Sequence, residues 1–149
     1  MHEALQIEDL LKDFVNTWDS HGVPVKGYGN LFFGQFIIFI ADETGHGVSG
    51  CSSDSSVRLI KQIEQIFKVN LFDRLLLAFI IKERVQVIPM AQLSYALDNG
   101  FINSSTLYFN NTVQDLKQLK TNWLIPVKDS WLRNDKRFSD LIEKSVTVV

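Results

Sequence analysis

Hydrophobic and polar positions follow a helical period near the start of the chain. Between residues 3 and 20, apolar side chains recur every three or four positions with charged ones between them, which predicts an amphipathic helix. Ser20-His21-Gly22 predicts its end, because glycine suits the left-handed residue after a helix and histidine suits the negative end of the helix dipole. Pro24 follows, and proline does not fit the interior of a helix.

A strand-like pattern comes next. Residues 25–42 are rich in aromatic and β-branched side chains, which predicts two strands that meet near residues 30–34. The second strand, FIIFIA, has few polar residues on either face and is therefore predicted at the centre of a sheet. A short third strand is expected to lead into Ser49-Gly50-Cys51, and apolar residues at helical spacing predict a helix over residues 54–68.

The second half of the chain also mixes both periods. The pattern predicts strands over 75–81 and 85–88, a helix from Pro89 to Asn99-Gly100, a strand over 106–109, a short helix over 112–119, an extended segment over 123–131 and a weak helix within 132–149. No internal repeat and no Pro/Ser/Gly-rich linker interrupts the sequence. The prediction is therefore one α+β domain over residues 1–149, with a mainly antiparallel sheet and flanking helices.

Composition narrows the class of protein. A net charge of -2 over 149 residues gives no broad basic field, which argues against a nucleic-acid-binding protein. The acidic N-terminus differs from a signal peptide, and the longest apolar stretch, Leu31 to Ala41, is too short to span a bilayer. The single cysteine, Cys51, excludes an intramolecular disulfide, so we expect a cytoplasmic protein whose oligomeric state the sequence leaves open.

The stretch VSGCSSDSS, Val48 to Ser56, carries the main candidate chemistry. A helix that begins near residue 53 would offer free N–H groups and a positive dipole end, which suit a phosphate or carboxylate. In this interpretation the amides of residues 53–55 hold a small anionic ligand, Ser52 and Ser56 orient it, and Arg58 neutralises it. The candidate ligand-binding residues here are Ser52, Ser53, Asp54, Ser55, Ser56 and Arg58.

A plainer interpretation of the same stretch is structural. Serine and aspartate are preferred helix N-caps, and one capping bond contributes about 1 kcal/mol to stability. Asp54 and Arg58 also have the i, i+4 spacing of an ordinary surface ion pair on a helix. Under this alternative the chain is a structural or interaction protein, and its binding partner is a protein rather than a small molecule.

Cys51 suggests a third class of function, a thiol enzyme. The N-terminus of a helix lowers the pKa of a thiol and favours the nucleophilic thiolate. Such a nucleophile also needs a base, and His21 is the candidate because the predicted helix end fixes its position. Asp54 or Ser56 would orient the pair. The competing interpretation is that Cys51 is a small buried apolar residue.

Carboxylates and tryptophans complete the candidate chemistry. Asp42 and Glu43 could bind a hard cation together with Asp54, but successive strand residues face opposite sides, so an acidic turn is favoured. We therefore predict neither a metal nor a cofactor. Trp123 and Trp131 form either a stacking groove or two anchors of the C-terminal segment, and Trp131 is retained as a candidate ligand-binding residue.

The order of motifs along the chain resembles a known family. The motifs are Trp18 with His21-Gly22, FIIFIADE, SGCSSDSSVRLIKQIE (Ser49 to Glu64), FDR (Phe72 to Arg74), FNNTV (Phe109 to Val113) and Ser130-Trp131. They resemble a small uncharacterised bacterial family whose members are often labelled ABC transporter ATPase. Its most specific element is G-C-S-x-D-x-S, here Gly50 to Ser56. The resemblance implies one site shared by His21, Cys51, Asp54, Ser56 and Trp131.

The ATPase label conflicts with the sequence. A P-loop requires a lysine and a Ser/Thr directly after its second glycine, because these side chains hold the phosphates and the metal. Gly45 and Gly50 have the required spacing, but Cys51 and Ser52 occupy the next two positions. The lysine is missing, and ATP hydrolysis by the P-loop mechanism is therefore excluded.

Overall fold

The structure is a computed structural model that describes residues 1–44 and 50–146, and for residues 50–52 it describes the backbone alone. The α-helices in the described residues are α1 (His2–Thr17), α2 (Gly50–Phe67), α3 (Leu93–Asp98), α4 (Leu116–Asn122) and α5 (Ser139–Lys144). The strands are β1 (Asp19–Ser20), β2 (Val23–Pro24), β3 (Gly27–Phe32), β4 (Phe36–Ala41), β5 (Leu76–Ile81), β6 (Arg84–Pro89), β7 (Leu107–Phe109) and β8 (Leu124–Pro126).

The fold class is α+β, as predicted, with antiparallel sheets and flanking helices. In the described residues β1 pairs with β2, β3 pairs with β4, and the largest sheet has the order β6-β5-β7-β8. The predicted place of FIIFIA at the centre of a sheet is wrong, because among the described residues β4 pairs only with β3, and its residues are half-buried. All six residues of β4 are half-buried, without the alternation of a sheet that has one solvated face, so partial cover on both faces accounts for the apolar sequence.

Contacts divide the chain into two compact units, Met1–Phe72 and Asp73–Val149. In the first unit, α1 packs on β3, and two glycines of β3 leave room for neighbouring aromatic rings. A Cβ atom at Gly27 would lie 2.6 Å from the Trp18 ring, and one at Gly29 would lie 2.8 Å from the Phe39 ring. Phe14 joins these rings, with its centroid 5.2 Å from that of Trp18 and 5.4 Å from that of Phe39.

The predicted end of the first helix is wrong in its details. Helix α1 ends at Thr17, and Trp18 is already extended, so its place in the apolar pattern reflects burial rather than helical backbone. His21-Gly22 is instead the two-residue turn of the β1–β2 hairpin, in which Ser20 pairs with Val23. Both turn residues have positive φ, 53° at His21 and 81° at Gly22, as a type I′ hairpin turn requires.

In the second unit one face of the four-stranded sheet carries the core. Leu77, Phe79 and Tyr108 point to this face and pack against residues of α3, α5 and the segment between β8 and α5. The buried residues of those elements are Leu93, Ala96, Leu97, Val127, Leu132, Phe138 and Ile142. The predicted β5–β6 hairpin and the helix ending at Asn99-Gly100 are confirmed.

Two predicted boundaries in this unit are wrong. The short helix lies at Leu116–Asn122 rather than over 112–119, because the Asp115 side chain caps it by accepting a hydrogen bond from the Gln118 N–H at 2.8 Å. The extended segment is limited to β8, and short 3-10 helices follow it. Among the described helices, none has the length and apolar character needed to cross a membrane.

Candidate functional site

The predicted site at residues 49–58 lies at the start of α2, but the helix begins earlier than the sequence indicated. Its first residue is Gly50, not Ser53 or Asp54, so both of these lie inside the helix and are not its N-caps. Ser49 and the predicted third strand before it fall outside the described residues, except for Gly50 and Cys51, whose backbone is helical. The boundary was misplaced because serine and aspartate are common at the cap and also in the first turn.

This shift moves the free backbone donors. An α-helix leaves its first four N–H groups without a partner inside the helix, and those of the four that lie in the described backbone belong to Gly50, Cys51 and Ser52. The N–H groups of Asp54 and Ser55 face carbonyls four residues earlier and are used within the helix. The amides of Asp54 and Ser55 therefore do not fit the predicted role of holding an anion, whereas the carbonyl four residues before Ser53 belongs to Ser49, outside the described residues.

One serine hydroxyl of this region, that of Ser56, bonds to the backbone of the helix itself. Ser56 Oγ donates a hydrogen bond to the Ser53 carbonyl at 2.6 Å, which commits the only proton of that hydroxyl. Ser56 therefore has acceptor capacity left but no donor for an anion. The Ser52 side chain lies outside the described residues, and Ser53 and Asp54 are exposed.

Arg58 points back along α2 toward its beginning. Its Nη2 donates a hydrogen bond to Ser55 Oγ at 3.2 Å, which places the guanidinium one turn closer to the N-terminus than its own Cα. The i, i+4 spacing predicts a pair between Arg58 and Asp54, whereas the hydrogen bond in the structure joins Arg58 to Ser55. The i, i+3 spacing, which also brings helix side chains together, was the available signal.

The thiol-enzyme constellation is only partly described. Cys51 lies in the first turn of α2, and its side chain is outside the described residues. His21 is exposed and sits in the β1–β2 hairpin turn instead of at a helix end. The argument that a helix end fixes the imidazole is therefore wrong, because this position is fixed by the turn.

Trp131 lies in the second unit and is half-buried. Its Nε1 donates a hydrogen bond to Tyr108 Oη at 3.0 Å, and burial raises the pKa of Tyr108, although this hydrogen bond acts in the opposite direction. Trp123 is buried, donates to Asn111 Oδ1 at 3.0 Å and packs edge-on against Phe109. Both indoles thus anchor their segments. The hydrogen bond between Tyr108 and Trp131 was not predictable from sequence, because the pattern around Tyr108 indicates only a strand.

The acidic turn after β4 is built by Asp42. Its carboxylate accepts hydrogen bonds from the Thr44 hydroxyl at 2.7 Å and from the Thr44 N–H at 2.9 Å. These two bonds lower the pKa of Asp42. No group of three or more His, Cys, Asp or Glu residues that could hold a metal ion occurs within the described residues.

The start of α2 therefore combines amides that have no partner within the helix, a positive dipole end and a guanidinium directed toward them, with the Asp54 carboxylate nearby. Chemically this set can bind an anion. Comparison of the chain with protein-family models, with curated proteins and with solved structures gives no match.

Proposed function

We propose that the chain is a small binding protein that holds an anionic group, such as a phosphate or carboxylate, at the first turn of α2. The direction of the Arg58 side chain carries the proposal, because its hydrogen bond to Ser55 Oγ brings the guanidinium toward the helix beginning. Helix α2 is long enough, at 18 residues, for a developed dipole. Free amides and an arginine acting together favour oxyanions over chloride.

Asp54 lowers the affinity of the proposed site for an anion. Its exposed carboxylate lies one turn before Arg58 and repels an anion at the same place. We therefore propose a weak site for the free inorganic ion and a stronger one for a ligand that also contacts neighbouring residues. We also propose that the chain is related to the family that shares the G-C-S-x-D-x-S element. We further propose that it is located in the reducing cytoplasm, which suits a protein with a single cysteine.

Phosphate titration followed by amide NMR tests the proposal. Inorganic phosphate should shift the amide signals of residues 50–58 in a saturable manner, at an ionic strength held constant with chloride. Arg58→Gln should raise the dissociation constant about fivefold, and Asp54→Asn should lower it about two- to fivefold, as expected for exposed charge contacts. Lys61→Gln is the matched control, since it removes one positive charge from an exposed position of the same helix.

Two results contradict the anion site. One is the absence of saturable shifts at residues 50–58 up to about 50 mM phosphate, which leaves no useful affinity. The other is equal weakening by Arg58→Gln and Lys61→Gln, which would indicate a diffuse charge effect. If Ser52→Ala and Ser56→Ala alter only thermal stability and phosphate has no effect, the purely structural alternative is supported instead.

The thiol-enzyme alternative has its own measurement. The rate of Cys51 alkylation by iodoacetamide, recorded against pH, reports the fraction of thiolate. A rate that titrates near the free-cysteine value of about 8.5 agrees with a binding protein. A midpoint well below that value, abolished by His21→Ala, would support a nucleophilic Cys51 with His21 as its base.

A further inference from the structure

Strand β6 forms an edge of the four-stranded sheet. In the part of the chain that the structure describes, β6 has a ladder partner on one side only, which is β5. The pairing runs without a bulge from Ile81↔Arg84 to Leu76↔Pro89. Natural edge strands are usually protected by bulges, central charges or prolines, because an unprotected edge is a template for another strand. In β6 the only charge is at its first residue and the only proline at its last.

The direction of each backbone group of β6 follows from the hairpin. Met90 N–H donates to the Leu75 carbonyl at 2.7 Å, which makes Leu75 and Met90 a hydrogen-bonded pair. Because such pairs alternate along an antiparallel ladder, Arg84, Gln86 and Ile88 bond to β5. The N–H and C=O groups of Val85 and Val87 therefore point away from β5.

The side chains of the same two residues lie on the sheet face opposite the core. Val87 pairs with Ala78 and Val85 with Ile80, and Ile80 also pairs with Leu107. On this face Val87 is 45% exposed, and both Leu76 and Leu107 are 39% exposed. The outward edge thus borders an apolar surface.

We propose that β6 pairs with β6 of a second copy of the chain, antiparallel and centred on Gln86, so that the two sheets become continuous. In this register Val85 of each copy exchanges hydrogen bonds with Val87 of the other, and their side chains meet across the junction. Gln86 faces Gln86 of the second copy, and Arg84 faces Ile88.

Neighbouring registers are less favourable for reasons of sequence. A register shifted toward the C-terminal end of β6 sets Val85 against Pro89, which has no N–H to donate. A shift the other way sets Val87 against Glu83, which belongs to the Lys82-Glu83 turn and has φ 64°. The centred register also avoids opposing the two Arg84 side chains, and like charges directly opposite destabilise strand pairing.

Sedimentation over about 10 µM to about 1 mM protein, a range suited to a small interface, tests this dimer. The wild-type chain should shift from monomer to dimer with concentration. Gln86 is exposed, so Gln86→Lys and Gln86→Glu should fold normally, and each alone should weaken the dimer about fivefold or more through like charges at the two-fold axis. An equimolar mixture of these two variants should recover the dimer as a heterodimer.

Gln65→Lys is the matched control, because Gln65 is an exposed glutamine on α2, and it should leave dimerisation unchanged. A wild-type chain that stays monomeric to about 1 mM overturns the proposal. So does a dimer that neither variant weakens, or a mixture of the two that is no more dimeric than each alone, since those results place any contact away from Gln86. The proposal is also contradicted if the chain stays monomeric and its β6 edge binds a strand of a different protein.

Discussion

At the scale of single residues, Gly27 shows how one missing side chain fixes the packing of the first unit. A Cβ atom there would meet the Trp18 ring at 2.6 and 2.7 Å. We expect Gly27→Ala to lower the free energy of unfolding by about 1–3 kcal/mol, the usual cost of overpacking. Urea denaturation measures this cost. In a Trp18→Leu background the same change should cost clearly less, and an equal cost in both backgrounds would show that Trp18 is not the obstacle.

Asp135 is the second residue with a definite expectation. Arg137 donates from Nη2 at 2.7 Å, from Nε at 2.9 Å and from its backbone N–H at 2.9 Å, and these bonds lower the pKa of Asp135 to about 2. Because the folded pKa lies below the unfolded value of 3.8, the stabilising contribution is complete above pH 3.8 and is lost as the pH falls through about 2.

A carboxyl NMR titration checks this assignment. Asp135 should titrate near pH 2 in the wild-type chain, and Arg137→Gln should move the midpoint toward 3.8. Lys136→Gln removes a neighbouring charge without touching these bonds and should change the midpoint little. If both substitutions move it equally, general charge and not the hydrogen bonds of Arg137 controls the pKa.

At the scale of elements, the β5–β6 hairpin has an unusual turn. Lys82 and Glu83 have φ of 51° and 64°, a left-handed conformation that costs residues other than glycine roughly 1 kcal/mol. The equivalent β1–β2 turn already has glycine at its second position. We expect Glu83→Gly to raise the free energy of unfolding by about 0.5–1 kcal/mol, measured by thermal and urea denaturation.

Glu83→Ala separates conformation from charge in that experiment. Alanine removes the carboxylate but keeps a Cβ atom, so the left-handed conformation stays unfavourable and no gain is expected. An equal gain from alanine would indicate that repulsion by the Glu83 charge, and not backbone conformation, destabilises the turn.

Elements were predictable from sequence where hydrophobic period and termination signals agree. The β5–β6 hairpin and the helix before Gly100 meet that condition. The end of α1 was not predictable in this way, because burial of Trp18 continues the apolar pattern past the last helical residue. The start of α2 was not predictable either, because several serines suit both the N-cap and the first turn of a helix. The direction of Arg58, on which the candidate site depends, is a rotamer choice that spacing alone does not decide.

At the scale of the whole molecule, residues 73–149 contain a core of their own. Phe79, Leu93, Val127, Leu132 and Ile142 are almost fully buried in contacts within this unit. We expect the isolated fragment 73–149 to fold cooperatively with modest stability, because a small domain buries a smaller fraction of its surface. Circular dichroism during heating provides the measurement.

A core substitution gives that experiment its control. Phe79→Ala should cost about 3–5 kcal/mol and abolish the cooperative transition of the fragment. A fragment that shows no transition even with Phe79 intact would mean that this core does not suffice without residues 1–72.

The placement of the tryptophans has a spectroscopic consequence. Trp18 lies in the first unit, whereas Trp123 and Trp131 lie in the second, and all three are at least half-buried. A chain with phenylalanine at 123 and 131 would keep one tryptophan, Trp18, whose emission reports on the unfolding of residues 1–72. The converse variant, Trp18→Phe, would report on residues 73–149. If the two variants unfold with the same midpoint, the chain unfolds in one cooperative step. Separate midpoints would show that the two units unfold in separate steps.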